Sequence, residues 1–284
     1  MSTAATDRPG TGSDLQHAGD ELAPKVASAQ ILRHEITEGV EALERPANGL
    51  FFSGLSAGLD LGFSLFLMAV TLTLAQGELP APVVRLLTAQ MYAVGFVFVV
   101  LGRSELFTEQ TTLAVLPVLG GRATLRSLLR LWAVVYPANL IGAATFAALA
   151  TLIGPALGVI DPRAFGTIAR RLTDHPASAI LMSGILAGWL MGLLSWLVAA
   201  GRDTISQIVV VWLVTASIGF ASLHHVILGS AEVLAGVFAG QGVTPADFGR
   251  FLLWATLGNI VGGVVFVALL KYGLARPEAQ TTNP

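Results

Sequence analysis

Six ionisable side chains inside long apolar stretches of this chain stand out: Asp60, Arg103, Glu105, His224, His225 and Glu232. A charge at such depth in hydrocarbon is costly, so each is a candidate functional group. The two histidines carry the most versatile chemistry. Imidazole, with an ordinary pKa of about 6.5, changes charge near neutrality and can donate, accept or relay a proton. Neighbouring residues on a helix point about 100° apart, so one of the two faces a central axis at most. His225, four residues before Gly229, is the first choice and His224 the second; the bland reading of either is a histidine hydrogen-bonded inside a bundle. Arg103 needs a partner at that depth, and Asp60 or Glu105 is expected to supply it in a pair that holds a loop rather than a solute.

The composition says what surrounds these groups. Of 284 residues, 54% are hydrophobic and 12% charged, with a mean hydropathy of +0.72, against about 25% charged in a soluble domain. An ordinary water-soluble globule is excluded. A net charge of -2 gives no basic patch for a phosphate backbone, which excludes nucleic acid as a partner. The chain has no cysteine, hence no disulfide or thiolate nucleophile. His-Glu-x-x-His, G-x-S-x-G and P-loop lysine motifs do not occur, so no enzyme is expected, and nothing marks a metal or organic cofactor.

Apolar runs bounded by charges and prolines cover 49–74, 83–119, 125–153, 177–200, 204–240 and 251–272. Each exceeds the roughly 20 residues of a bilayer crossing. The second and fifth are too long for one plain span: about 36 residues at 1.5 Å each reach roughly 54 Å, against about 30 Å of hydrocarbon. Both are expected to be broken helices. The breaks are expected at Gly102-Arg103-Ser104-Glu105 and at His224-His225 with Gly229-Ser230-Ala231-Glu232, because irregular backbone at this depth must be buried or line a cavity. Six crossings put both termini on one side. Ten Lys and Arg residues fall on that side and five on the other, which favours cytoplasmic termini in a cell (inner) membrane. Ahead of the spans, 1–21 read as a disordered polar tail and 22–45 as an amphipathic helix, with Leu32, Ile36, Val40 and Leu43 on one stripe. The transmembrane domain is 46–274, and 275–284 form a C-terminal tail.

Three collinear matches reveal an internal repeat. Ser53-Gly54-Leu55-Ser56-Ala57-Gly58 matches Ser183-Gly184-Ile185-Leu186-Ala187-Gly188 at an offset of 130. Gly102-x-x-Glu105-Leu106 matches Gly229-x-x-Glu232-Val233 at 127, and Asn139-Leu140-Ile141-Gly142 matches Asn259-Ile260-Val261-Gly262 at 120. A three-helix unit used twice must enter the membrane from opposite sides, and an inverted repeat with a broken helix in each half is a transport architecture. The glycines at 54, 58, 184 and 188 are read as close-packing faces rather than as a site.

Gly102-Arg103-Ser104-Glu105-Leu106-Phe107-Thr108, Asn139-Leu140-Ile141-Gly142 and Gly258-Asn259-Ile260-Val261-Gly262-Gly263 resemble motifs of the formate/nitrite transporter family over about residues 25 to 273. In the fifth helix that family typically has Gly-Phe-Glu-His-Ser with an Asn four residues after the His. This chain has Gly219-Phe220-Ala221-Ser222-Leu223-His224-His225 and then Gly229, which places it in a divergent branch. The resemblance implies an all-α membrane protein with six transmembrane helices in an inverted 3+3 repeat, aquaporin-like, pentameric, with broken second and fifth helices. It implies that Leu106, Phe107 and Thr108 form the loop beside the constriction, with apolar rings closing the pore. Asn139 and Asn259 would sit at the gap ends of their helices or tie two helices together.

The expected function is passage of small monovalent weak-acid anions, formate or nitrite being the family's typical cases, with protons involved through a central histidine. Partners are that anion, protons, the lipid bilayer and further copies in a homopentamer. The extra charges Asp60, Arg103, Glu105 and Glu232 leave two alternatives open: the same fold with selectivity for a neutral solute or cation, or a non-conducting membrane scaffold whose amphipathic helix recruits a partner.

Overall fold

The computed structural model describes residues 26–75 and 77–281. The predicted tail at 1–21 lies outside the described residues. The regular elements are helices: α1 (Ser28–Glu44), α2 (Ala47–Ala75), α3 (Ala81–Leu101), α4 (Phe107–Leu113), α5 (Val115–Leu119), α6 (Leu125–Ala156), α7 (Pro162–Thr173), α8 (Ala177–Ala200), α9 (Thr204–Ala221), α10 (Val226–Phe238), α11 (Pro245–Gly263), a π-helical segment Val264–Leu269 and α12 (Leu270–Thr281). Six helical stretches are long and apolar enough to cross a membrane.

The second apolar run is α3, a break over 102–106, and the short helices α4 and α5; the fifth is α9, a break over 222–225, and α10. Both first halves end alike. Arg103 and Ser222 adopt left-handed backbone with φ of +52°, and the amide after each folds back, Ser104 N–H to the Val99 carbonyl and Leu223 N–H to the Ile218 carbonyl. This is the helix-terminating geometry usually given to glycine. The fifth break thus lies wholly before Gly229. Gly229, Ser230 and Glu232 sit inside α10, and the expected match of Gly102 with Gly229 at offset 127 is corrected: the two left-handed residues are 119 apart.

The halves pack alike as well. α2 lies on α6 and α8 on α11 through small residues. A Cβ on Gly58 would lie 2.9 Å from the Ala143 amide nitrogen, and one on Gly188 would lie 2.6 Å from Asn259 Cα. Backbone cannot yield as a side chain can, so these positions need glycine for close approach.

The sixth run, read as a plain crossing, widens into π turns at Val264–Leu269. Such a turn leaves helix carbonyls without their usual partners, and the Thr112 hydroxyl of α4 donates to the Gly263 carbonyl at 3.0 Å. α1 buries Leu32, Ile36 and Leu43 as its stripe predicts, but Glu35 and Gly39 are buried as well while Val40 is only half-buried. The face is turned toward α5 and α8, where Gly39 meets Pro117.

Gly188→Ala is expected to lower stability by about 1–3 kcal/mol, the usual range for overpacking, whereas Gly49→Ala, with open space at its Cβ, is expected to be neutral or stabilising. Thermal unfolding of the detergent-solubilised protein compares the two.

Candidate functional site

A helix broken inside a bundle orphans backbone groups that have no water to turn to. Two asparagines meet this need. Asn139 Oδ1 accepts the Phe107 N–H at 2.8 Å, and its Nδ2 donates to the carbonyls of Gly54 (2.7 Å) and Glu105 (2.9 Å). Asn259 repeats the pattern on the other half: its Oδ1 accepts the Val226 N–H at 2.9 Å, and its Nδ2 donates to Gly184 (2.9 Å) and His224 (2.8 Å). Ser53 Oγ accepts the Glu105 N–H at 3.0 Å, and Ser183 Oγ accepts the His224 N–H at 3.1 Å. Each asparagine therefore clamps a break to two transmembrane helices.

The clamps place Glu105 and His224 at equivalent positions, and likewise Leu106 and His225. His225 is fully buried and caps α10: its Nδ1 accepts the Leu228 N–H at 3.2 Å. That fixes the neutral ring's proton on Nε2, which lies 2.7 Å from Thr108 Oγ1 of the opposite half. The Phe96 ring meets the imidazole edge-on at 5.0 Å. His224 is held otherwise. Its Nε2–H donates to the Leu172 carbonyl at 3.0 Å and its Nδ1 pairs with Ser183 Oγ at 2.8 Å, which ties the break to α7 and α8. Leu106 is fully buried in the core. Phe107 packs its ring against Trp132 and Tyr136 of α6.

Toward the α1 side, a cavity of about 440 Å³ is lined by Glu35, Glu38, Glu41, Glu105 and Glu109, with Arg45, Arg103 and His34. Glu109 was not among the sequence candidates, although it is an acid inside the second apolar run, one residue after Thr108. The expected pairing of Arg103 with Asp60 or Glu105 is corrected. Arg45, at the end of α1, pairs with Glu105 at 2.7 Å, and Gln110 Nε2 donates to the same carboxylate. The left-handed turn at Arg103 carries its side chain outward, where it is 85% exposed and 3.8 Å from Glu38. Asp60 is half-buried and accepts from Ser56 Oγ at 3.2 Å. Glu232 is buried on α10, apart from this cavity. Among the described residues no cluster of three or more His, Asp or Glu is placed to hold a metal ion.

Six spans in an inverted repeat, with paired breaks meeting at a buried histidine, define a membrane channel or transporter of aquaporin-like architecture. The family model described as formate/nitrite transporter matches residues 29–273. Inner membrane protein YfdC of Escherichia coli is 33% identical over 271 residues, covering 94% of this chain and 84% of that protein. Nitrite transporter NirC of Salmonella typhimurium is 29% identical over 243 residues, covering 83% and 86%. A solved pentameric formate channel with formate bound superposes with a TM-score of 0.68 at 26% identity, covering 80% of this chain and 97% of that one. The chain belongs to the formate/nitrite transporter family.

α1 roofs the cavity through a titratable contact. Ser195 Oγ of α8 is hydrogen-bonded to both Glu35 carboxyl oxygens, at 2.7 and 2.9 Å. Burial pushes the Glu35 pKa from 4.5 to about 7, against the pull of the Ser195 hydrogen bond, and Glu38 adds to the rise. Above about pH 4.5 an undocked Glu35 ionises while the docked one stays protonated. Docking of α1 therefore weakens as pH rises to about 7 and levels off beyond, by up to about 3 kcal/mol. In this cysteine-free chain, spin labels on cysteines introduced at Thr37 and Arg126 report it. Acidification is expected to enrich the docked distance in the parent protein and leave Glu35→Gln unchanged; equal pH response in both excludes Glu35 as the titrating contact.

Proposed function

We propose that the protein passes small monovalent weak-acid anions, formate or nitrite among them, between its two breaks, with protons accompanying the anion. The observation that carries this reading is the His225–Thr108 hydrogen bond of 2.7 Å, where the two halves meet. An anion at an apolar waist must shed water, which is prohibitive unless hydrogen-bond donors replace it and a proton neutralises its charge. His225 offers Nε2–H there. An arriving anion takes the place of Thr108 Oγ1 as acceptor, and Thr108 supplies its own hydroxyl as a second donor. Leu106 and Phe107 form apolar walls beside this point, and Asn139 and Asn259 hold the backbone that carries it. Family membership and the nitrite- and formate-named relatives support the substrate class.

Assembly as a homopentamer in a cell (inner) membrane, with both termini cytoplasmic, completes the reading. It is supported by the pentameric relative, by outward apolar residues such as Leu74, Leu152 and Met182, and by the basic residues on the terminal side. One observation favours a second reading. Five glutamates against Arg45, Arg103 and His34 give the cavity under α1 an acidic lining, which suits a neutral solute or cation of the same fold.

Uptake into proteoliposomes separates them. Formate or nitrite is expected to enter above the level of empty liposomes, faster under an inward proton gradient. His225→Ala is expected to reduce that flux about tenfold or more, the effect of losing one hydrogen bond to a charged group. Anion flux and pH dependence unchanged in both His225→Ala and His224→Ala overturn the role of the histidines; flux confined to neutral solutes or cations favours the second reading.

A further inference from the structure

A second, smaller cavity lies toward the other end of α3, where Thr88 and Tyr92 face Arg171 of α7, Ser222 of the fifth break and Glu232 of α10. Its volume of about 30 Å³ holds about two waters, or one monoanion of three heavy atoms in their place. One of its lining groups is a buried polar atom without a partner, and a second, a buried carboxyl, has no hydrogen bond to protein. Tyr92 is 5% exposed and its hydroxyl has no hydrogen-bond partner. Glu232 is 4% exposed, and its carboxyl makes neither a hydrogen bond nor a direct ion pair among the described residues. A buried hydroxyl without a partner is costly, so a cavity that sets one beside a carboxyl and an arginine is built around something that fills it.

The charges here are few. Arg171 acts electrostatically on Glu232 across the cavity, Glu232 acts on Tyr92, and Arg85 acts on Arg171. The other titratable groups on the surrounding elements are committed elsewhere: His224 to Ser183 and Leu172, Arg85 to the Phe220 carbonyl, Arg163 to Asp161, Arg170 to the Gln241 carbonyl, Arg250 to the Thr173 carbonyl, and Asp247 to Thr244. Arg171 and Glu232 are thus each other's principal counter-charge.

We propose that Arg171, Tyr92 and Glu232 form a docking site in which a small weak-acid monoanion is taken up together with one proton, carried by Glu232. The inference deepens the anion-passage reading and rests on it for the choice of ligand. An anion drawn to Arg171 removes the positive charge that steadied the Glu232 carboxylate, so binding of the anion and of a proton to Glu232 reinforce each other. Tyr92 donates its free hydroxyl to the anion. The protonated carboxyl then breaks its O–H bond as the anion forms one, giving the neutral acid and a carboxylate beside Arg171, which takes up the next proton from the solution on the same side. The neutral acid crosses apolar surroundings at far lower cost than the anion. The way onward is short: the Tyr92 ring stacks on Phe96 at 5.4 Å, and Phe96 meets His225. His225, whose Nδ1 lone pair is occupied by the Leu228 amide, is left as a hydrogen-bond donor while Glu232 handles the proton.

Proton uptake on anion binding tests this without any transport. Sodium formate is added to the purified full-length protein in weakly buffered solution with a pH indicator, across a series of starting pH values, and sodium sulfate serves as the ionic control. The parent protein is expected to take up as much as one proton per protomer with formate and none with sulfate. Glu232→Gln and Arg171→Gln are expected to abolish the uptake while eluting as the parent oligomer. Tyr92→Phe, which keeps the ring stack, is expected to retain uptake but need several-fold more formate. Absence of proton uptake in the parent protein, or undiminished uptake in Glu232→Gln, overturns the proposal. Proton uptake without formate flux in proteoliposomes overturns the passage reading and leaves the docking site standing.

Discussion

The structure depends on one constraint: two transmembrane helices are broken where no water can satisfy their backbone. Each break frees amides and carbonyls whose burial without partners costs several kcal/mol in a bilayer interior. Asn139 and Asn259 use both amide protons and the amide oxygen to meet that demand. The glycine faces follow from this. Gly58 and Gly188 let α2 approach α6 and α8 approach α11 closely enough that each asparagine reaches a carbonyl of the neighbouring helix as well as the break. Helix packing, backbone satisfaction and site position are one arrangement seen at three scales.

The scaffold is symmetric and its fillings are not, and function lives in the difference. Where one half has Glu105, tied to Arg45 and Gln110, the other has His224, tied to α7 and α8. Where one half has apolar Leu106, the other has His225, whose Nε2 faces Thr108. A symmetric pair of clamps thus delivers a single hydrogen-bond donor to the meeting point of the halves. The cavities flanking it differ in the same spirit: an acidic one beneath α1, and on the other side a small one where an arginine, a carboxyl and a free hydroxyl converge.

Much of this was legible in the sequence because it rests on length and composition. Runs of 83–119 and 204–240 are too long to cross once, so the breaks had to exist, and the Asn-x-x-Gly and Ser-Gly matches marked a three-helix unit used twice. What misled was geometry without a residue signature. Glycine suggested itself as the marker of each break, yet Arg103 and Ser222 take the left-handed turns, so Gly229 pulled the second match eight residues out of register, 127 against 119. The same turn moved Arg103 outward and left Glu105 to Arg45, a partner from outside the spans that spacing along one helix does not reveal. Nothing in the sequence singles out Glu35; the docking of α1 on α8 is what buries it against Ser195. The π turns at Val264–Leu269 have no pattern in the sequence beyond the glycine pair that precedes them.

The central claim is that the broken fifth helix holds His225 as a neutral donor, its Nδ1 fixed by the start of α10 and its Nε2–H offered across the meeting of the halves. Nitrogen-15 magnetic resonance of the His225 ring, with the protein in bilayers near neutral pH, reads this directly. The account predicts a protonated Nε2 and a bare, hydrogen-bond-accepting Nδ1. A ring protonated on Nδ1, or on both nitrogens, would contradict it.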